Sequence, residues 1–123
     1  MNTQDEIILA DLVFQCHIGC TQQEQKKLQP IHIDVALGYD ITPATMSDMV
    51  EDTINYIAIY EHIKQIVTTN TYHLIETLAA HIACTLLASY PIEYASIEIK
   101  KPRPMKKRGG AYAAVRITRY KYL

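Results

Sequence analysis

Ser96-Ile97-Glu98-Ile99-Lys100-Lys101-Pro102 is the stretch of sequence from which the fold can be predicted most directly. Ile97 and Ile99 alternate with polar residues, a period of two that is typical of a β-strand with one buried face. Pro102 ends the strand, because proline has no backbone N–H to donate to a neighbouring strand. Lys101 shares the parity of the two isoleucines, so we expect its side chain to point inward at the end of the strand.

An inward-pointing Lys101 has two interpretations. Partial desolvation disfavours the charged form of an amine, which would make Lys101 a base near neutral pH. Alternatively, the strand frays before Lys101 and the long side chain carries its ammonium group to water. Parity by itself favours the second interpretation, because lysines whose charged ends reach water are common.

The composition is typical of one globular domain that spans residues 1–123, with 49% hydrophobic and 20% charged residues. The net charge of −1 gives no general attraction for nucleic acid or acidic lipid. The polar, acidic start does not resemble a signal peptide, and no apolar run approaches the roughly 20 residues of a membrane span. The three cysteines form no CxxC pair. We therefore expect a cytoplasmic protein without membrane association or a disulfide framework.

The rest of the chain predicts the element order β-β-α-α-β-β. The predicted strands cover residues 6–16, 30–38, 94–101 and 111–119, and the predicted helices cover about 55–69 and 73–89. The segments 20–29, 40–52 and 102–110 are predicted to be irregular. The simplest packing is an α+β fold, in which an antiparallel sheet carries both helices on one face. Such a sheet leaves an edge strand open unless another subunit covers it.

Glu76 is a candidate binding residue in the first turn of the second predicted helix. Its helical neighbours are Ala79, Ala80 and Ala83, a floor of small residues that a flat ligand could approach closely. The alternative, which Glu76 alone favours, is a carboxylate that stabilises the positive end of the helix dipole by roughly 0.3–1 kcal/mol.

Other polar residues give weaker signals. Glu24 lies in a polar segment and would usually be a solvated charge, and Tyr56 begins the apolar stripe of the first helix and would usually be core. The five histidines show no HxH or HExxH spacing, so we expect no zinc site. A basic run that includes Arg103 to Arg108 is either a solvated hairpin tip or a binding site for phosphate or RNA. It contains no aromatic residue on which a base could stack.

Five blocks follow one another in order along the chain. They are Ile18-Gly19 with Glu24 and Gln29; Ile33-Asp34-Val35; Ser47-Asp48 with Asp52-Thr53-Ile54-Asn55-Tyr56; Leu74-Ile75-Glu76-Thr77-Leu78-Ala79; and Ile97-Glu98-Ile99-Lys100-Lys101-Pro102. In their order and spacing they resemble the dihydroneopterin aldolase family of folate-pathway enzymes. The resemblance implies the tunnelling fold (T-fold), which has the same β-β-α-α-β-β order. It also implies a homo-oligomer, a tetramer or an octamer of two stacked rings, with active sites between subunits.

The resemblance also implies roles for residues in these blocks. Lys101 and Tyr56 would be catalytic, with Tyr56 contributed by a neighbouring subunit. Glu76 would hold the edge of a pterin substrate beside the Ile75 backbone, and Glu24 would contact the substrate. Thr21 and Gln22 depart from the aromatic or aliphatic residues that are more usual after the glycine, and the loop from Arg103 to Gly110 is unusually basic. These departures could alter the substrate without abolishing the chemistry.

The reaction implied by the resemblance is a retro-aldol cleavage of dihydroneopterin to hydroxymethyl-dihydropterin and glycolaldehyde. The pterin ring imine can accept the released electrons, so no metal, Schiff base or cofactor is expected. Two alternatives stay open. One is an epimerase of dihydroneopterin or its phosphate, for which the basic loop would supply cations. The other is a non-catalytic module that binds RNA through the same loop.

Overall fold

The computed structural model of the protein describes residues 5–122. The strands are β1 (Glu6–Cys16), β2 (Gln29–Gly38), β3 (Tyr94–Lys101) and β4 (Ala113–Tyr120). The helices are α1 (Gln22–Lys26), α2 (Thr42–Ser47), α3 (Tyr56–Thr69), α4 (Ile75–Ser89) and α5 (Arg103–Lys106), with a 3₁₀ turn at Val50–Asp52.

The four strands form one antiparallel sheet in the order β1-β2-β3-β4. The two long helices cover one face of it, with α3 against β1 and α4 against β3 and β4. This arrangement confirms the predicted α+β fold and its order of main elements. Within residues 5–122, no helix is both long enough and apolar enough to cross a membrane.

The core lies between this covered face and the two long helices. Along the central strands, buried residues alternate with partly buried ones; the inward set is Ile31, Ile33, Val35, Leu37, Ala95, Ile97 and Ile99. The helices contribute Ile59, Ile63, Ile66, Val67, Leu78, Ala79, Ile82, Ala83 and Leu86. Each fully buried Ile or Leu stabilises the fold by about 1.5–3 kcal/mol relative to an exposed one, so these residues hold the helices on the sheet.

A β-bulge at Asp11 interrupts β1. The pairing register with β2 shifts between Leu9 and Leu12, and Asp11 has a φ of 54°. The Asp11 amide donates a hydrogen bond to Asp34 Oδ1 at 2.7 Å, which holds the bulge against β2. One extra residue reverses the parity of the strand. Leu9 is therefore buried before the bulge, whereas Phe14 is buried after it.

The element boundaries differ from prediction where the periodic pattern is short. Helix α4 begins at Ile75 rather than at His73, because Leu74 still has an extended backbone. The three segments predicted to be irregular contain α1, α2 and α5, each with four to six residues. Helices this short complete about one turn, so they show no apolar period in the sequence.

Gly38 and Tyr94 are cross-strand neighbours on β2 and β3. The Tyr94 ring lies over Gly38, so that a Cβ added to Gly38 would come within 2.1 Å of Tyr94 Cε2. The Tyr94 hydroxyl donates to Glu6 Oε2 at 2.8 Å. Burial, together with the nearby Glu6 carboxylate, raises the pKa of Tyr94 to about 12. Glycine is therefore required here by the ring that covers it.

Gly38→Ala should destabilise the protein by about 1–3 kcal/mol, because the added methyl group forces the Tyr94 ring out of its position. Urea denaturation at a fixed protein concentration measures the change. In a Tyr94→Ala background the same substitution should cost much less, since the clashing ring is gone. An equal cost in both backgrounds would show that the ring is not the cause.

Candidate active site

Lys101 lies at the end of β3 on the covered face of the sheet, as its parity predicts. Its side chain is only 15% exposed, and its Nζ atom lies 3.1 Å from Glu24 Oε2. Lys100, of opposite parity, lies on the open face, which is the face of the sheet that the two long helices do not cover. Its Nζ atom lies 3.4 Å from Asp34 Oδ2. The ammonium group of Lys101 therefore meets a carboxylate inside the structure rather than extending freely into water.

Glu24 lies on α1 and is positioned by the residues just before it. The Thr21 hydroxyl accepts a hydrogen bond from the Glu24 amide at 3.1 Å, which caps the helix. This Thr-x-x-Glu spacing is a capping-box pattern, a signal in the sequence by which this short helix could have been predicted. Gly19 has a φ of 152°, and a Cβ on it would come within 2.3 Å of the Glu24 side chain. The carboxylate can reach Lys101 only because position 19 has no side chain.

Gln29, at the start of β2, is a buried polar residue beside this pair. Its Nε2 atom donates to the Ile18 carbonyl at 2.6 Å, and its side chain also helps to lower the pKa of Glu24. Gln29 belongs to the first of the five sequence blocks, but its residue type does not mark it as a site residue. Its burial could not be predicted from its residue type, because glutamine is mostly exposed in proteins.

The charges of the pair act on neighbouring groups. The hydrogen bond and charge of Lys101 hold the pKa of Glu24 below its ordinary value of 4.5. Cys16 is buried nearby, at the end of β1. Burial raises the pKa of its thiol to about 11, although the positive charge of Lys101 opposes this change. The thiol is therefore neutral near pH 7 and is a weak nucleophile.

The loop before α1 is joined to the segment before α4. The Gly19 amide donates to the Tyr72 carbonyl at 3.0 Å, and the Cys20 thiol donates to the His73 carbonyl at 3.6 Å. Helix α4 begins two residues later at Ile75, which is partly buried, and carries the exposed Glu76 in its first turn. The fold thus tethers the segment that leads to Glu76 to the loop that leads to Glu24.

Tyr56 is the first residue of α3 and does not belong to the core. Its side chain is 59% exposed, so the expectation that it would be a core residue is wrong. Asn55 caps the helix by accepting a hydrogen bond from the Ile57 amide at 3.0 Å, and this cap leaves Tyr56 at the surface. Among residues 5–122, no ion pair or side-chain hydrogen bond joins Tyr56 or Glu76 to Lys101.

An open pocket of about 530 Å³ adjoins Glu24. Its lining is Thr21, Gln23, Glu24, Lys27, Gln29, Arg103, Pro104, Lys107 and Arg108. The basic run that follows β3 is therefore folded back toward α1 rather than projecting as a free hairpin tip.

Comparisons with known proteins point to one family. The family model for dihydroneopterin aldolase (FolB) matches residues 7–118. The chain is 31% identical to a dihydroneopterin aldolase of Bacillus subtilis over 118 residues, which cover 95% of this chain and 98% of that protein. It is 33% identical to a dihydroneopterin aldolase of Streptococcus pyogenes, over 92% of this chain and 94% of that protein.

A solved structure shows the same fold. The E. coli dihydroneopterin aldolase in complex with neopterin superimposes with a TM-score of 0.88 and 28% sequence identity, covering 94% of this chain and 99% of that one. The expected tunnelling fold is thereby confirmed.

The Glu24 carboxyl group should titrate below its ordinary pKa of 4.5, and Lys101→Met should move the midpoint back up, because Lys101 is the main cause of the shift. NMR of the Glu24 side-chain carboxyl carbon measures the midpoint. Lys100→Met is the matched control and should leave it unchanged, since Lys100 lies on the opposite face of the sheet.

The same shift sets a pH window for stability. The pKa of Glu24 is lower in the folded state than in the unfolded state. The ion pair therefore stabilises the protein fully when the pH lies above the unfolded-state pKa. That stabilisation is lost as the pH falls through the lowered, folded-state pKa. A Glu24 midpoint that is identical in the Lys101→Met variant and the unsubstituted protein would contradict the assignment of this ion pair.

Proposed function

Because this chain belongs to the dihydroneopterin aldolase family, we propose that it cleaves dihydroneopterin to hydroxymethyl-dihydropterin and glycolaldehyde. The observation that carries the proposal is the contact between Lys101 and Glu24 at 3.1 Å, at the end of β3. It joins a largely buried amine to a carboxylate, at the two positions for which the resemblance in sequence implies a catalytic lysine and a glutamate at the substrate.

The reaction requires proton transfer and positioning rather than a covalent intermediate. Removal of a proton from the second side-chain hydroxyl turns that carbon into an aldehyde and breaks the carbon–carbon bond next to it. The electron pair moves into the ring imine, and the resulting enamine is then protonated on carbon. A positioned acid or base contributes typically 10²–10⁴-fold to such steps.

Lys101 is the proposed base for the hydroxyl proton. In its neutral form the amine can accept that proton, directly or through water, and the resulting ammonium stabilises neighbouring negative charge. Glu24 can accept hydrogen bonds from the substrate hydroxyls and so hold the side chain of the substrate beside Lys101.

Glu76 is the proposed anchor for the pterin ring. A carboxylate can accept two parallel N–H bonds from the amino-pyrimidine edge of the ring, as it does from an arginine fork. Its exposed position in the first turn of α4, beside the Ile75 backbone, leaves it available for such a ligand. The tether between residues 19–20 and 72–73 keeps this anchor at a fixed separation from Glu24.

Tyr56 is the proposed proton donor to carbon, and it acts in a site formed with a second subunit. Its exposure of 59% leaves the phenol free to meet a neighbouring chain. Strands β1 and β4 are the sheet edges that oligomerisation into a tetramer or octamer would cover.

Epimerase activity is a related candidate. If the aldehyde rotates in the site and presents its opposite face, the carbon–carbon bond can re-form with the inverted configuration. The epimerase alternative includes the phosphate of dihydroneopterin as a substrate, for which the cations that line the pocket beside Glu24 would supply positive charge. Release of glycolaldehyde separates the two, because an epimerase retains both fragments. The RNA-binding alternative stays a prediction.

Lys101→Ala should lower turnover by roughly 10²–10⁴ and leave pterin affinity within severalfold, because a proton-transfer group is lost. Glu76→Ala should instead weaken binding by roughly ten- to a hundredfold, the loss of a charge-assisted hydrogen bond. Titration and single-turnover rates measure the two effects.

Lys101→Arg should not restore turnover, since guanidinium stays protonated. Lys100→Ala is the matched control, and near wild-type turnover of Lys101→Ala would refute the proposed role.

Mixing Tyr56→Phe chains with Lys101→Ala chains should restore activity to about a quarter of the sites, if each site takes Tyr56 and Lys101 from different subunits. Lys101→Ala mixed with Glu24→Gln is the control. It should restore nothing, because those two residues meet within one chain. Turnover after dissociation and reassembly is the measurement, and a fully active monomer in sedimentation would contradict the shared site.

A further inference from the structure

The pocket beside Glu24 is lined by an excess of positive charge. Four of its side chains are cationic, namely Lys27, Arg103, Lys107 and Arg108, and Glu24 is the one carboxylate among the lining residues. That carboxylate already pairs with Lys101. Among residues 5–122, none of the four cations lies within ion-pair distance of an acidic group.

The two arginines are held in place without being neutralised. Arg103 donates to the Leu28 carbonyl at 3.2 Å, and Arg108 donates to the Pro104 carbonyl at 2.7 Å. A carbonyl group satisfies one guanidinium N–H and leaves the other donors and the full charge available. Cations converging on one concave surface repel each other and attract an anion.

The position of the pocket identifies which part of a ligand it would receive. Glu24 lines the pocket and also touches Lys101, so the pocket continues outward from the pair proposed to hold the substrate hydroxyls. None of its lining residues is aromatic, so it offers no stacking surface for a pterin ring. Its volume of about 530 Å³ is enough for a small anionic group.

We propose that this pocket binds a phosphate ester on the side chain of the substrate, so that the preferred substrate is a phosphorylated dihydroneopterin. This inference rests on the proposed function. The phosphate takes no part in the bond changes. The same carbon–carbon bond breaks, its electron pair enters the ring imine, and the ester leaves on the two-carbon fragment as glycolaldehyde phosphate. Arg103, Lys107 and Lys27 are then residues that determine specificity.

The test compares dihydroneopterin with its side-chain monophosphate ester in steady-state kinetics. The unsubstituted protein should have a KM for the ester about tenfold below that for dihydroneopterin, the difference made by one good charge-assisted contact. Lys107→Gln should reduce this preference for the ester by about three- to tenfold, because the KM for the ester rises while that for dihydroneopterin stays the same. Lys106→Gln is the matched control: Lys106 is the exposed last residue of α5, directly before Lys107, but does not line the pocket, so the preference for the ester should not change.

Three other outcomes would overturn the inference, and they distinguish a failure of the phosphate pocket from a failure of the proposed aldolase activity. Glycolaldehyde release from dihydroneopterin, with no preference for the ester and no effect of Lys107→Gln, overturns the phosphate pocket and leaves the aldolase intact. Competitive inhibition by inorganic phosphate without preference for the ester assigns the pocket to free phosphate. Turnover of neither compound overturns the aldolase and, with it, the substrate class.

Discussion

Ile33 on β2 and Ile99 on β3 lie opposite each other in the middle of the sheet, and both are fully buried against the helices. Their register fixes which face every residue of the two strands occupies, because side chains alternate along a strand. Lys100 is therefore on the open face with Asp34, and Lys101 is on the covered face with Glu24. A slip of one residue would exchange the two lysines, so the hydrophobic core and the candidate site depend on the same register.

Glu24 is held in place by local devices rather than by the sheet. The Thr21 cap orients its helix, and Gly19 leaves room for its side chain. Gln29 brings a buried amide to the same place. A cap of this kind stabilises by about 1 kcal/mol, which is small for the fold but enough to keep a carboxylate in one orientation. Lys101 completes the arrangement and keeps Glu24 ionised by lowering its pKa.

The two regions of high charge differ in how their charges are paired. On the open face, Asp34 pairs with Lys100, Glu98 with Arg116, and Asp11 Oδ1 lies 2.6 Å from His32 Nδ1. At the pocket beside Glu24, the two arginines hydrogen-bond backbone carbonyl groups. Within residues 5–122, none of the four lining cations pairs with a carboxylate. Paired charges on a surface contribute little beyond solubility. An unpaired cluster next to the Lys101–Glu24 pair has instead the electrostatics of a binding site for an anion.

The sequence by itself determined the main elements and the face that each residue of a regular strand occupies. The alternation over residues 94–101 and the apolar stripes of α3 and α4 are long enough to show their period, so they predicted the α+β order and the inward position of Lys101. Residue type and local pattern by themselves suggested that Glu24 is a solvated charge and Tyr56 a core residue. Only the tertiary structure decided that Glu24 meets Lys101 and that Tyr56 is exposed. It also revealed the bulge at Asp11 and the short helices, which span too few residues to show a period. The physical reason is that the periodicity of a sequence predicts on which face of its own strand or helix a residue lies. The packing of the elements decides which residues from distant parts of the chain meet that face.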